Sequence, residues 1–253
     1  MIFDERYEVF LADTPESKAL QYQLRYKVFC IETGWEPSRL SRAEKHEKDE
    51  FDVSSHHFLV RDRRSLAWVA GLRLVESPSH ALPIAQFCQI EEQPRRLFAE
   101  GGCVEVSRLF VLPDFRSGRL QSADGRDLSR VDVARNNEII LGLIRAAREF
   151  VLKNDINSWY FLVEPALARM LKRLGIDLYR CGPGVQHRGL RYPCYGDIET
   201  CFNRVFLNSE DIGLMFSKVN TFGYCSWLEK DELGEKVPEA RNVDKKERKL
   251  VIA

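Results

Sequence analysis

Apolar residues change their spacing several times along the chain, and each change predicts a new element. Residues 6–11 form a short apolar-rich run typical of a β-strand. A helix is predicted over residues 15–31, because Pro15 suits a first helical position and apolar residues then recur at helical spacing: Leu20, Leu24, Val28 and Ile31. Two further runs, at 56–62 and 66–75, are separated by charged residues and predict a β-hairpin.

A strand, a helix and a second strand follow in the middle of the chain. Residues 104–112 and 158–163 are mostly apolar, and residues 129–153 between them carry a helical apolar stripe. Such a β-α-β unit makes its two strands parallel. The remaining expected elements are a helix from Pro165 and strands at 177–182 and 190–197. The pattern therefore predicts an α/β (α+β) fold in which helices cover a mixed sheet.

The last quarter of the chain differs in composition from the rest. We expect residues 1–197 to form one domain, residues 198–227 a helical appendage, and residues 228–253 a charged, flexible tail. Exposed apolar content in the appendage leaves room for a homodimer.

Charge and cysteine content narrow the function classes. The 253-residue chain has 38 basic and 38 acidic residues, so it shows no general affinity for nucleic acid. No apolar run is long enough to cross a bilayer, and the start of the chain lacks a signal segment. The seven cysteines include no Cys-x-x-Cys pair, and no cluster has metal-ligand spacing. We therefore expect a cytoplasmic protein without disulfides or metal.

Glu105 and Arg108 interrupt the strand at 104–112, and buried charges are rare unless they are paired. A structural salt bridge and an active-site role both stay open for this pair. Residues three apart on a regular strand point to opposite faces, so both can line one site only if the strand carries a β-bulge, which we predict near 106–108.

Ten residues stand in a characteristic order along the chain: Arg25, Phe29, Trp35, Glu47, Asp49, Asp52, Arg73, Phe87, Glu105 and Arg108. This order resembles the pattern of the acyl-homoserine-lactone synthase family. Taken singly, several of them have simpler interpretations as solvated, packing or loop residues. Three later segments are similar to acyltransferases associated with bacterial exosortase (PEP-CTERM) systems; they are residues 163–167, 174–176 and 182–189. These acyltransferases are relatives of the lactone synthases and of the N-acyl amino acid synthases.

The resemblance implies a GNAT-type three-layer sandwich, with a central mixed sheet splayed at the acyl-donor site and helices on both faces. It also implies a long-chain acyl donor, carried by acyl carrier protein or coenzyme A, as a co-substrate with no further cofactor. The donor would contact Leu109, Phe110, Val111, Arg116 and Arg119. Helix arginines such as Arg145 and Arg148 would form either a basic face for an acidic carrier protein or a solvated face.

The resemblance assigns the acceptor pocket as well. Glu105 would be the general base, with Arg108 beside it. Asp49 and Asp52 would hold a cationic acceptor, and the other pocket members would be Arg25, Phe29, Trp35, Glu47, Arg73 and Phe87. The three arginines and four carboxylates of this set, Glu105 included, would form one ion network.

Three functions stay open from the sequence. The first is an N-acyltransferase that acylates a small amine such as an amino acid. The second is an acyl-homoserine-lactone synthase with S-adenosylmethionine as acceptor. The third is a protein of an exosortase system that binds acyl carriers without turnover. His187 is either a structural hydrogen-bonding residue or a substrate contact.

Overall fold

The computed structural model describes residues 3–36, 45–76, 82–91, 102–116, 129–226 and 228. A mixed sheet runs through this part of the chain in the order β6-β8-β5-β4-β3-β2-β1-β9, with β7 paired to β8. The strands are β1 Tyr7–Leu11, β2 Ser55–Asp62, β3 Trp68–Glu76, β4 Cys103–Val111, β5 Ser158–Val163, β6 Tyr179–Arg180, β7 Val185–Gln186, β8 Leu190–Asp197 and β9 Gly223–Tyr224. The predicted hairpin is confirmed as β2–β3, and β4 and β5 are parallel as predicted.

Strand β4 leaves its neighbour halfway along its length. It pairs with β5 from Cys103 to Val106 and then continues to Val111 alongside β3 only. The sheet is therefore splayed at the carboxyl end of β4, where no strand of the described residues pairs with the edge that faces β5. A splay of this kind opens a slot between two parallel strands that are otherwise buried.

A β-bulge lies within the same strand, as the sequence predicts. Gly71 of β3 pairs with Phe110 and Arg73 pairs with Ser107, so β4 accommodates one more residue than β3 between these two pairs. Arg108 takes a φ of 49°, in the left-handed region that a non-glycine residue rarely adopts. The bulge changes the direction of the Arg108 side chain, so that Glu105 and Arg108 line one cavity.

Helices cover both faces of the sheet. The N-terminal helix consists of an α-helix, Pro15–Arg25, that continues as a π-helix, Tyr26–Glu32. Its Tyr22 ring contacts His57 of β2, whereas the neighbouring His56 contacts Phe150 of the long helix, Ser129–Lys153. Because adjacent strand residues point to opposite faces, these two helices lie on opposite sides of the sheet. The other helices in the described ranges are Phe3–Arg6, Ile84–Phe87, Pro113–Arg116, Pro165–Arg173, Val205–Asn208 and Glu210–Ser217, with a 3₁₀-helix at Glu50–Ser54.

The predicted apolar stripe of the N-terminal helix is wrong at its last member. Leu20, Leu24 and Val28 are buried, but Ile31 is 55% exposed. A π-helix closes i→i+5 hydrogen bonds, so it takes up more residues per turn than an α-helix and shifts the buried face. Phe29 is buried in place of Ile31. Since π-helical turns occur frequently at functional sites, the change of helix type itself marks this region.

Residues 198–226, here called the C-terminal segment, pack into the same core as the sheet. Phe202, Ile212 and Phe216 are buried there, and β9 pairs with β1 in parallel. The predicted helices exist, but the sequence analysis missed the strand. Five large hydrophobic side chains of the segment are exposed: Phe206, Leu207, Leu214, Val219 and Tyr224. Of the predicted tail, residues 229–253 lie outside the described residues.

The interpretation of the helix arginines as one basic face is wrong for Arg145 and Arg148. Arg145 is buried and donates hydrogen bonds to both Asp4 carboxylate oxygens and to the carbonyl of Met215. The Arg148 guanidinium lies 4.9 Å from the centre of the Phe202 ring. Both side chains thus attach terminal parts of the chain to the long helix. Within the described ranges, no helix is both long and apolar enough to cross a membrane.

Candidate active site

A network of three arginines and three carboxylates lies between the N-terminal helix and the sheet. We call it the arginine–carboxylate network, and its members are Arg25, Arg73, Arg108, Glu47, Asp49 and Asp52. Arg25 is fully buried and donates from Nε to Glu47 at 2.5 Å and from both terminal nitrogens to Asp52 at 2.6 and 3.1 Å. This two-point contact with Asp52 fixes the guanidinium plane as well as its position.

The other two arginines reach the same carboxylates from the sheet. Arg73 on β3 donates to Asp49 at 2.7 Å, to Asp52 at 2.9 Å and to the Ser107 hydroxyl at 3.0 Å. Arg108, at the bulge, donates to Glu47 and Asp49 at 3.1 Å each. The sequence analysis expected these six residues together, and the structure brings them together.

Local sequence explains the placement of the acidic residues. Asp49 caps the 3₁₀-helix Glu50–Ser54, its side chain accepting from the Phe51 N–H at 3.0 Å. Asp52 returns the contact, accepting from the Asp49 N–H at 2.7 Å. This is a capping box built from two aspartates, and it orients both carboxylates by contacts with the backbone of their own segment.

The network holds Arg25, Glu47 and Asp52 in their charged forms. Burial alone would raise the pKa of Glu47, but Arg25 and Arg108 lower it to about 2. Burial also opposes ionisation of Asp52, yet Arg25 and Arg73 hold its pKa well below the usual range. In Arg25, burial favours the neutral form, and Glu47 and Asp52 overcome it to raise the pKa. Glu47, Asp52 and Arg25 are therefore ionised near neutral pH.

His57 is a buried neighbour that the sequence analysis took only for a strand residue. Its Nε2 lies 3.7 Å from Asp52, and neither ring nitrogen has a hydrogen-bond partner among the described residues. Burial, aided by Arg25, lowers the pKa of His57 to about 3, so the ring is neutral. His57 is the cross-strand partner of Arg73 in the β2–β3 ladder, a relation that becomes visible once the hairpin register is known.

Glu105 stands apart from the network, which corrects the expectation that it shares the ion pairs. Its side chain is buried, and one carboxylate oxygen accepts a hydrogen bond from the Ile84 N–H at 2.6 Å. No ion pair joins it to Arg73 or Arg108 in the part of the chain that the structure describes. Burial raises the pKa of Glu105 from 4.5 to about 7, and the Ile84 N–H, Arg73 and Arg108 oppose this rise only in part. A carboxylate with such a pKa is suited to accept a proton near neutral pH.

A small cavity adjoins Glu105 at the splayed end of β4. Its lining includes Arg73, Pro83, Phe87, Glu105, Val106, Ser107, Arg108, Leu162, His187, Arg188 and Arg191. Phe87, predicted as a pocket residue, packs on the His187 ring with centroids 4.1 Å apart. Burial lowers the pKa of His187 to about 4, so this ring is also neutral.

Phe29 and Trp35 form an aromatic pair beside the network. Their rings stack with centroids 6.4 Å apart, and the Arg108 guanidinium lies 5.7 Å from the centre of the Phe29 ring. Arg191 lies 5.2 Å from the centre of the Trp35 ring. Each ring of the aromatic pair is therefore within cation–π range of one guanidinium group.

The predicted donor residues have different surroundings. Leu109, Phe110 and Val111 are buried in the stretch of β4 that β5 does not cover. Arg116 pairs with Glu32 at the end of the π-helix. Arg119 lies outside the described residues.

Four residues that bear on the cavity were not predicted as site residues: Glu36, Ile84, Arg188 and Arg191. Arg188 lies in the segment 182–189, which contributed to the resemblance but was given no role. Glu36 pairs with Arg108 at 3.1 Å and also with Arg188, which is 152 positions away along the chain. Arg191 could have been noticed as a charged residue within the predicted strand at 190–197, but Glu36 and Ile84 carry no comparable signal.

Comparison with known proteins gives the context of this geometry. Residues 24–123 match the family model of the acetyltransferase (GNAT) domain. No curated protein matches the chain in sequence.

Solved structures resemble most of the chain at low sequence identity. TofI, in a ternary complex with an inhibitor and MTA, is 19% identical over 81% of this chain and 99% of its own, with a TM-score of 0.56. BjaI, a CoA-dependent acyl-homoserine lactone synthase with SAM and isopentyl-CoA, is 18% identical over 86% and 93%, with a TM-score of 0.56. FeeM, an N-acyl amino acid synthase from uncultured soil microbes, is 9% identical over 80% and 95%, with a TM-score of 0.51. At these identities the likeness is one of fold.

Proposed function

We propose that this chain, a GNAT-fold acyltransferase by its domain and fold, transfers a long-chain acyl group from a thioester to a small amine such as an amino acid. The observation that supports this most directly is Glu105, a buried carboxylate with a pKa near 7 that lines a cavity at the splayed end of β4. An ion pair does not account for the position of Glu105, because the hydrogen bond that its carboxylate accepts comes from the backbone N–H of Ile84. Keeping a carboxyl group in such a place costs stability and is typical of functional sites.

The proposed reaction is direct aminolysis of the thioester. Glu105 takes a proton from the acceptor ammonium, directly or through a water molecule, and the amine nitrogen then attacks the thioester carbonyl carbon. The carbon–nitrogen bond forms, the carbon–sulfur bond breaks, and the sulfur leaves as a thiolate. The nitrogen gives up a second proton as the amide forms, and the thiolate takes up this proton. The products are an N-acylated amine and a free thiol. The Ile84 N–H fixes one oxygen of Glu105, which leaves the other oxygen for the proton.

The donor is proposed to enter where β4 and β5 separate. Apolar residues cluster on the same face of the sheet as Glu105, and among them are Val75, Tyr160, Leu162 and Cys181. A buried apolar cluster beside the base is better suited to bind an acyl chain than to bind a polar group. The CoA dependence of BjaI supports coenzyme A as carrier, and acyl carrier protein stays as the second candidate.

The two aspartates expected to hold the acceptor are given different roles in this proposal. Asp52 accepts four hydrogen bonds, and its side chain is only 5% exposed. Asp49 keeps 22% of its side chain exposed. We therefore assign the attraction of the ammonium group to Asp49 and a structural role to Asp52.

Homoserine-lactone synthesis is the second candidate. It is supported by the assembly of the arginine–carboxylate network and the Phe29–Trp35 pair, the set that the resemblance to the lactone synthases implies. The two candidates differ in acceptor, because only the lactone synthase consumes S-adenosylmethionine and releases methylthioadenosine.

Thiol release tests the proposal. The purified protein is mixed with long-chain acyl coenzyme A, or in parallel with long-chain acyl carrier protein, and with amino acids, small amines or S-adenosylmethionine. Free thiol is followed with a chromogenic reagent, and products are identified by mass spectrometry. We expect amine-dependent release that rises with pH to a plateau above about 7, as Glu105 loses its proton.

Glu105→Gln should reduce the rate at least about 100-fold, within the range attributed to general base catalysis. Glu199→Gln, which removes an exposed carboxylate far from the base in sequence, is the matched control. Release of methylthioadenosine would favour the lactone synthase. Absence of thiol release with every donor and acceptor, in a protein that still binds acyl carriers, would favour the binding protein without turnover.

A further inference from the structure

The loop His187–Gly189, which we call the β7–β8 loop, brings positive charge to the cavity from outside the arginine–carboxylate network. It connects two antiparallel strands paired at Val185 with Arg191 and Gln186 with Leu190. Arg188 in this loop and Arg191 just after it both line the cavity that holds Glu105. The mechanism proposed above uses neither of them.

The loop is held in one conformation. Arg188 has a φ of 53° and Gly189 a φ of 101°, so two successive residues lie in the left-handed region. Arg191 is fully buried, and its Nε donates to the His187 carbonyl at 2.8 Å while a terminal nitrogen donates to Glu164 at 3.0 Å. Arg191 thus acts as a positioning residue, and the Arg188 guanidinium is presented to the cavity by a backbone that does not need to rearrange.

A carboxylate already occupies one side of Arg188. Glu36 bridges Arg188 and Arg108, so two guanidinium groups converge on one carboxylate at the edge of the cavity. Even with Glu36 present, burial and the nearby Arg108 lower the pKa of Arg188. The site therefore stabilises this cation incompletely and favours a further negative charge. A guanidinium has five N–H donors, more than a single carboxylate uses.

We propose that Arg188 receives an anionic group of the acceptor, so that the acceptor is an α-amino acid whose amine faces Glu105 while its carboxylate pairs with Arg188. This inference rests on the proposed function and narrows its acceptor class. Amines without a carboxylate lack the second contact. The phosphate of a pantetheine arm has related chemistry, and the experiment separates the two sources by the substrate whose KM changes.

The experiment compares α-amino acids with their carboxamides as acceptors, with long-chain acyl coenzyme A and long-chain acyl carrier protein in parallel and thiol release as the measurement. The amine of a carboxamide is less basic than that of the free amino acid, so intrinsic reactivity at neutral pH favours the amide. We expect the protein to prefer the acid form of its acceptor by at least about 10-fold in kcat/KM, the size of effect that a charged hydrogen bond gives.

Arg188→Gln should raise the acceptor KM about 10- to 100-fold, leave kcat nearly unchanged and abolish the preference for the acid over the amide. Arg188→Lys should restore part of the preference, because it keeps the charge but not the planar fork. Arg173→Gln, at an exposed arginine on the helix Pro165–Arg173, is the matched control and should behave as the parent.

Each outcome has a distinct meaning. Thiol release that is equally fast with acid and amide in the parent protein overturns the inference and leaves the acyltransferase proposal standing. A rise in KM confined to the acyl donor in Arg188→Gln also overturns it, because the anion would then belong to the donor. No release with any acceptor refutes the acyltransferase proposal itself. The comparison of acid with amide uses the parent chain, so it decides the question even if Arg188→Gln does not fold.

Discussion

Replacing Glu105 with glutamine should make the stability of the protein less sensitive to pH. The Glu105 carboxyl is buried, and its pKa is raised from 4.5 to about 7 in the folded protein. Between pH 4.5 and about 7, the Glu105 carboxyl keeps its proton in the folded protein but has lost it in the unfolded chain. Folding stability therefore falls as the pH rises through this window, and the loss is complete above the folded pKa.

The size of the effect follows from the shift. A pKa difference of one unit corresponds to about 1.4 kcal/mol, so this shift amounts to about 3 kcal/mol in total, most of which develops between pH 5 and pH 8. Glutamine carries no titrating proton, and its carbonyl oxygen can still accept from the Ile84 N–H. Any fixed cost of burying the new amide group is the same at both pH values and cancels in the comparison.

The assay is urea denaturation of the parent and of Glu105→Gln at several pH values from 5 to 8. The difference in unfolding free energy between the two proteins should shift in favour of the variant by about 2 to 3 kcal/mol over this range. Other titrating groups contribute equally to both proteins. Glu199→Gln, at an exposed position, should run parallel to the parent. If the curve of Glu105→Gln also runs parallel to the parent, Glu105 titrates at an ordinary pH, and the argument for it as a base tuned by burial fails.

Two further predictions concern packing and the arginine–carboxylate network. Asp52→Ala should lower the free energy of unfolding, measured by urea denaturation, by about 3 to 5 kcal/mol, because it leaves Arg25 and Arg73 buried with too little negative charge. A decrease of less than about 1 kcal/mol would mean that solvent reaches these arginines. Gly142→Ala should destabilise the protein by about 1 to 3 kcal/mol although alanine favours helices, because its Cβ would stand 2.1 Å from a Phe3 ring carbon. Adding Phe3→Leu to the Gly142→Ala variant should recover part of the lost stability. If Gly142→Ala alone were more stable than the parent, the Phe3 ring would have to move aside without cost.

Sequence reasoning succeeded where the pattern is local and strong. The β2–β3 hairpin and the unit of β4, the long helix and β5 follow from apolar periodicity and from right-handed crossover geometry. The bulge at Arg108 was also predictable, because two charged residues three apart cannot share a site on a regular strand.

Sequence reasoning failed where structure depends on partners far along the chain. The exposure of Ile31 follows from a π-helix that apolar spacing does not announce. The burial of Arg145 depends on Asp4 and on the C-terminal segment, which are distant in sequence. Likewise, Glu105 was expected to share the ion pairs of Arg108, and only the three-dimensional arrangement shows that its partner is the Ile84 N–H.

The sharing of carboxylates within the arginine–carboxylate network has a consequence for how this protein can evolve. Asp52 serves Arg25 and Arg73, Asp49 serves Arg73 and Arg108, and Glu47 serves Arg25 and Arg108. Each carboxylate thus neutralises two arginines, so losing any one leaves two buried cations short of charge. Single substitutions are therefore costly intermediates on any route to a different pocket. Descendants of this chain should keep the six residues as a set or replace several of them together.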